Sequence, residues 1–141
     1  MFRTANIILS GSAKEAMGML SIESGALKDV LFSYHTRFEE GIGTNAEELM
    51  AAALGLCFAM KLSFVLAEKG FKTEKIEAVA RIEFDKEAIK SAHIDVKAKV
   101  PGISEKIFEE CANEAKLNSI VAKTLNLPIT GDGLLLQNAP A

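Results

Sequence analysis

The chemistry open to this chain starts with two cysteines, Cys57 and Cys111. Cys57 lies within Leu54-Gly55-Leu56-Cys57-Phe58-Ala59-Met60, an apolar stretch. Two readings are open for it. One is a small buried hydrophobe, the commonest fate of a free cysteine. The other is a reactive thiol, which needs a nearby cation because the thiolate is the nucleophile. Arg37, in His35-Thr36-Arg37-Phe38-Glu39 before a glycine loop, is the candidate cation; its alternative is a solvated surface arginine. Glu47 and Glu48 suit the start of a helix, where carboxylates cap the chain and meet the positive end of the dipole. Capping does not need both, so one can hold Arg37 through a bidentate pair. Glu47 and Cys57 are ten residues apart, about 15 Å along a helix. One site containing both therefore needs a partner chain or a folded-back loop.

Other chemistries find little support. His93 falls on the polar side of a strand, where a solvated histidine is the default, and His35 has no obvious partner. No His/Asp/Cys nucleophile triad, metal-ligand spacing, GxGxxG or P-loop occurs; Gly41-Ile42-Gly43 before Thr44-Asn45 lacks the rest of either fingerprint. Two cysteines are too few for a disulfide framework or a four-cysteine zinc site. No metal and no cofactor is expected.

These residues must be positioned by one domain spanning 1–141. Hydrophobic residues make up 49% and charged residues 25%, which excludes a disordered chain. A net charge of −3 argues against nucleic acid as a partner. The start, Met1-Phe2-Arg3-Thr4-Ala5-Asn6, lacks the apolar region of a signal peptide. Leu49–Ala67 is apolar but interrupted by Lys61 and Ser63, so it reads as a core helix rather than a membrane span. The expectation is a soluble, cytoplasmic protein.

Strands are predicted over Phe2–Ser10, Met17–Ile22 and Val30–Phe38. Thr44…Glu47 and Asn45…Glu48 each offer a capping box for a helix that runs to Glu68-Lys69 and stops at Gly70. That helix is apolar nearly all round, so other elements must cover most of it. Lys75–Asp85 and Lys90–Val100 alternate as a hairpin with one wet face. Ser104 caps a second helix, about Glu105–Asn118, with Ile107, Phe108, Cys111 and Ala115 on its apolar stripe. Ile120–Leu125 makes a further turn, and Leu127–Leu136 is extended but broken at Gly131-Asp132-Gly133. Strands in runs rather than alternating with helices indicate an α+β fold. Two small sheets and a short helix cannot cover the long helix, which points to a homodimer.

Four segments carry a resemblance: Ser21-Ile22-Glu23-Ser24-Gly25, His35-Thr36-Arg37-Phe38-Glu39, Gly43-Thr44-Asn45-Ala46-Glu47-Glu48-Leu49, and Ala52 through Met60 around Cys57. In this order they resemble the OsmC/Ohr family of thiol peroxidases, nearest to its OsmC branch. The likeness continues through Leu66–Phe71, the hairpin, Val100-Pro101-Gly102-Ile103 and the second helix. It implies an intertwined homodimer with a long central buried helix packed by antiparallel sheets, and active sites at the subunit interface. It also implies that Cys57 is the peroxidatic cysteine, Arg37 its activating arginine and Glu47 the carboxylate holding that arginine. The family's resolving cysteine, in a Cys-Pro-Val/Ile-Ser motif, is replaced: Ser119 takes its position and Ile120 that of the proline. Leu54 stands where the OsmC branch commonly has a histidine. Cys111 lies eight residues before Ser119, about 12 Å along a helix, whereas a disulfide needs Cα atoms within about 7 Å.

The leading expectation is thus a one-cysteine hydroperoxide reductase, with Leu54, Leu56, Phe58 and Met60 favouring organic hydroperoxides. Its reductant would be an external thiol, in the family typically a dihydrolipoyl group. The alternative is a dimeric ligand-binding or thiol-bearing protein that keeps the scaffold without turnover.

Overall fold

A computed structural model describes residues 1–138. The chain divides into two compact units, Met1–Leu49 and a second beginning at Met50.

In the first unit three strands form a meander: β1 (Ala5–Ser10), β2 (Met17–Ile22) and β3 (Val30–Ser33). They pair antiparallel in that order, with Ile7 opposite Leu20 and Met19 opposite Leu31. The third predicted strand is too long. Extension stops at Ser33, and Tyr34–Phe38 forms a helical turn, α1. Ser33 Oγ accepts from the Thr36 N–H at 3.3 Å, and the Ser33 N–H donates to Thr36 Oγ1 at 2.9 Å. This reciprocal cap overrides the strand preference of the aromatic and β-branched run.

Helix α2 (Ala46–Glu68) follows. It ends as expected at Gly70: the Gly70 N–H donates to Ala67 O and the Phe71 N–H to Leu66 O. The second unit continues with β4 (Lys75–Phe84), β5 (Ile89–Lys99), α3 (Glu105–Asn118), α4 (Ile120–Thr124) and β6 (Ile129–Leu135). β4 and β5 form the predicted hairpin, Ile76 facing Ala98 and Ala80 facing Ile94.

β6 departs from the expected antiparallel sheets. It pairs parallel to β5, because α3 and α4 carry the chain back over the sheet before it returns. Nor do its glycines break it. Gly131 and Gly133 lie within the strand, where a Cβ would come 2.9 Å from Ile94 O and 3.1 Å from the Phe108 ring. The close approach of α3 and β5 requires glycine there.

One core organises this unit. Leu54, Phe58, Leu62, Val65 and Leu66 of α2 join Ile94, Val96 and Ala98 of β5 and Phe108, Cys111 and Ala115 of α3. Within the single chain this core covers one face of α2. Leu56, Met60 and Phe64, four residues apart, are each at least 60% exposed. By length and composition α2 would pass as a membrane span, yet its opposite face packs into this core.

Candidate active site

The head of α2 is built by two short polar side chains. Asn45 Oδ1 accepts from the Glu48 N–H at 2.7 Å, so Asn45…Glu48 is the cap actually used. Asn45 Nδ2 also donates to Thr36 O at 2.8 Å. Thr36, buried, sends its hydroxyl to Thr44 O at 2.8 Å and Ser33 O at 2.9 Å. These bonds tie α1 to the start of α2. The intervening loop crosses β3 at Gly43, φ +135°, where the Thr44 N–H reaches Leu31 O at 2.8 Å. A Cβ on Gly43 would fall on Leu31 O, so no other residue fits without moving the loop.

This frame sets Arg37 against Glu47. Arg37 Nε lies 2.7 Å and Nη2 2.6 Å from Glu47 Oε1. Glu47 is only 4% exposed, while the Arg37 side chain is 42% exposed. The pair differs from the expected bidentate fork: both donors converge on one oxygen, and the buried Oε2 has no hydrogen-bond partner. The guanidinium also lies 4.6 Å from the centre of the Phe38 ring, a cation–π contact. With Asn45 and Glu48 engaged in the cap, Glu47 is left to hold the arginine. Of the two glutamates, Glu47 holds the arginine, whereas the Glu48 carboxylate accepts from Thr44 Oγ1 at 3.0 Å and the cap itself is supplied by Asn45.

Cys57 is a half-buried free thiol on α2, ten residues beyond Glu47 and about 15 Å along the helix axis. It follows the exposed Leu56 and precedes the core residue Phe58. Of the four apolar residues expected around it, Leu54 and Phe58 face the core, and Leu56 and Met60 face outward. Leu54 is fully buried, so no acid–base group stands at that position.

The remaining candidates separate cleanly. Cys111 is completely buried in the core, as expected, and burial pushes its thiol up, with Glu114 and Glu110 adding to the rise and Lys69 opposing it. His35 pairs with Glu39 at 2.6 Å on the surface. Ser119 is buried and joins two helices. Its N–H donates to Ala115 O at 3.1 Å, closing α3, and its Oγ accepts from the Ala122 N–H at 3.4 Å, opening α4. Ile120 takes the first helical position of α4, a site that also suits proline. Ser33, Thr36 and Gly43 are the positioning residues that sequence reasoning missed. The only signal was the Ser-x-x-Thr spacing at 33–36, hidden inside a run that reads as strand.

Comparison with known proteins gives one consistent answer. Residues 39–132 match the family described as OsmC-like protein. Peroxiredoxin OsmC of Escherichia coli strain K12 is 37% identical over 126 residues, 86% of this chain and 88% of that protein. An OsmC-like protein of unknown function from Vibrio cholerae superposes with a TM-score of 0.72 at 14% identity, covering 95% of this chain and 99% of that one. The organic hydroperoxide resistance protein OhrB of Bacillus subtilis gives a TM-score of 0.64 at 21% identity, covering 92% of this chain and 97% of that one. At such identities the two structures attest the fold.

Proposed function

The chain belongs to the OsmC-like protein family, and from that premise we propose that it is a thiol-dependent hydroperoxide reductase with Cys57 as its nucleophile. The observation that carries the reading is the Arg37–Glu47 pair: a buried carboxylate holds a guanidinium that stays partly open to solvent. A surface arginine would need no such anchor.

In the proposed reaction the Cys57 thiolate attacks the distal oxygen of the hydroperoxide. The S–O bond forms as the O–O bond breaks, and the departing alkoxide takes a proton and leaves as the alcohol. Cys57 becomes a sulfenic acid. The Arg37 charge stabilises both the thiolate and the negative charge developing on the leaving oxygen. Two equivalents of external thiol, or one dithiol, then return the sulfenic acid to the thiol, releasing water and a disulfide. Ser119 is a cap and Cys111 is sealed in the core, so the one-cysteine route is the one these side chains support. Leu56 and Met60, exposed beside Cys57, favour an organic hydroperoxide. A lipoyl-type dithiol is the proposed reductant, and the reducing cytoplasm the proposed compartment.

Glu47 and Cys57 share a helix that keeps them about 15 Å apart. The proposed active unit is therefore a homodimer, in which the exposed Leu56–Met60–Phe64 stripe finds its cover and Arg37 of one protomer meets Cys57 of the other.

The test is consumption of cumene hydroperoxide and of hydrogen peroxide with dihydrolipoamide as reductant, for the wild type and Cys57→Ser. Turnover that vanishes in Cys57→Ser supports the proposal. A wild type that consumes neither peroxide, with its thiols confirmed reduced, contradicts it.

A further inference from the structure

The outer face of the second sheet carries a cluster that peroxide chemistry leaves unused. His93 and Asp95, two apart on β5, project opposite the core residues Ile94 and Val96. The parallel register of β6 sets Thr130 beside His93 and Asp132 beside Asp95. His93 Nε2 consequently lies 3.0 Å from Asp95 Oδ1 and 3.5 Å from Asp132 Oδ2. One donor atom from each of the three side chains falls within 4.8 Å of the others.

Two of these three groups are oriented by a further partner. His93 Nδ1 is 2.5 Å from Thr130 Oγ1. The tautomer that donates Nδ1–H to that hydroxyl leaves the Nε2 lone pair facing both carboxylates. Asp95 engages Arg81 Nη2 through Oδ2 at 3.2 Å and keeps Oδ1 toward His93. The other tautomer donates Nε2–H to Asp95 Oδ1 at 3.0 Å; in the first, a cation takes the place of that proton among the three converging atoms. Metal-binding histidines and carboxylates are commonly fixed by outer partners of this kind.

We propose that His93 Nε2, Asp95 Oδ1 and Asp132 Oδ2 bind a divalent transition-metal ion of the zinc class, with solvent completing a tetrahedral shell. An ion holding its ligands at about 2.0–2.1 Å spaces them about 3.3 Å apart. The two separations from His93 Nε2 bracket that value. One imidazole with two carboxylates suits Zn²⁺ better than Ca²⁺, which takes six to eight oxygens, or Mg²⁺, which keeps an octahedral water shell. Asp132 is 85% exposed, so an ion can enter from solvent. No spacing in the sequence betrays the set, because its third ligand arrives on a strand beyond two intervening helices.

The test is a Co²⁺ titration of the reduced full-length protein, read by visible d–d absorption, with Zn²⁺ added to displace the cobalt. The expected result is one ion per chain, displaced by Zn²⁺, with affinity lost in His93→Ala. Asp132→Asn, which alters an exposed side chain only, should weaken binding at least about tenfold, and Thr130→Val, which frees the imidazole, by about tenfold. No binding at millimolar Co²⁺ would overturn the site, and so would binding undiminished in both His93→Ala and Asp132→Asn. A thiolate charge-transfer band that disappears in Cys57→Ser would place the ion on the cysteine and equally overturn it.

Discussion

The two compact units of this chain solve the same problem in opposite ways. The second unit has a closed core, with α2, α3 and the inner face of the sheet meeting over Phe58, Val96 and Phe108. The first unit also has a three-stranded sheet, with shorter strands, and very little inside. Every residue of β1 is exposed, including Ile7, Ile8 and Leu9, and its order near the site comes from polar links through Ser33, Thr36 and Asn45. In the proposed homodimer this open apolar strand is a surface the partner can cover. The contrast assigns stability to the second unit; in the proposed dimer, the first would supply the arginine's half of the chemistry.

The largest effect that would sharpen this contrast is Phe58→Ala. Phe58 is 2% exposed at the centre of the core, so its loss should cost about 3–5 kcal/mol in denaturant unfolding. That cost should hold across a roughly hundredfold range of protein concentration. Ile8→Lys, on the open strand, should act differently: it should weaken dimerisation, so that its effect fades as concentration rises. Equal, concentration-independent losses for both would erase the distinction between the units.

Arg37→Ala comes next. It leaves a buried carboxylate without its cation, and because Arg37 is itself 42% exposed the stability loss should be about 1–3 kcal/mol. Its effect on peroxide reduction should exceed its effect on stability. Arg37→Lys should recover only part of the activity, since one ammonium cannot supply both the Nε and Nη2 contacts. Activity unchanged in Arg37→Ala would remove the arginine from the site.

A smaller effect separates the two duties of Asn45. Asn45→Ala should cost about 1 kcal/mol through the lost cap. Asn45→Asp keeps an acceptor for the Glu48 N–H but loses the donor to Thr36 O. Near-normal stability with slower peroxide reduction in Asn45→Asp would show that the link to α1 serves placement of Arg37. The mildest probe is alkylation. Iodoacetamide should modify Cys57 in the native protein and reach Cys111 only after unfolding, because burial both shields that thiol and raises its pKa.

Much of this was legible in the residues. Met17–Ile22, Glu105–Asn118 and the stop at Gly70 follow from alternation, a serine cap and a glycine, all signals read within a few residues. The hidden features depend on contacts between distant segments. α1 is set by a cap inside a run of strand formers. Gly131-Asp132-Gly133 reads as a break because nothing local reveals that Phe108 and Ile94 crowd it. For the proposed site, residue types offered Arg37 and Cys57 as candidates and left Glu47 and Glu48 open, and the family resemblance chose among them; neither could show that both guanidinium donors meet one oxygen of Glu47. Ser119 shows the same limit: its double role at the α3–α4 junction is visible only in the fold.

The central claim is that Arg37 and Glu47 of one protomer serve Cys57 of the other. Subunit exchange between Cys57→Ser and Arg37→Ala chains tests it most directly. Each homodimer should be inactive or nearly so, while mixed dimers, formed by refolding the two together, hold one site with both residues intact. The account predicts recovery of about a quarter of wild-type peroxide reduction in a random equimolar mixture, since half the dimers are mixed and each has one complete site. A mixture no more active than the average of its two parents, with mixed dimers verified by mass, would contradict it.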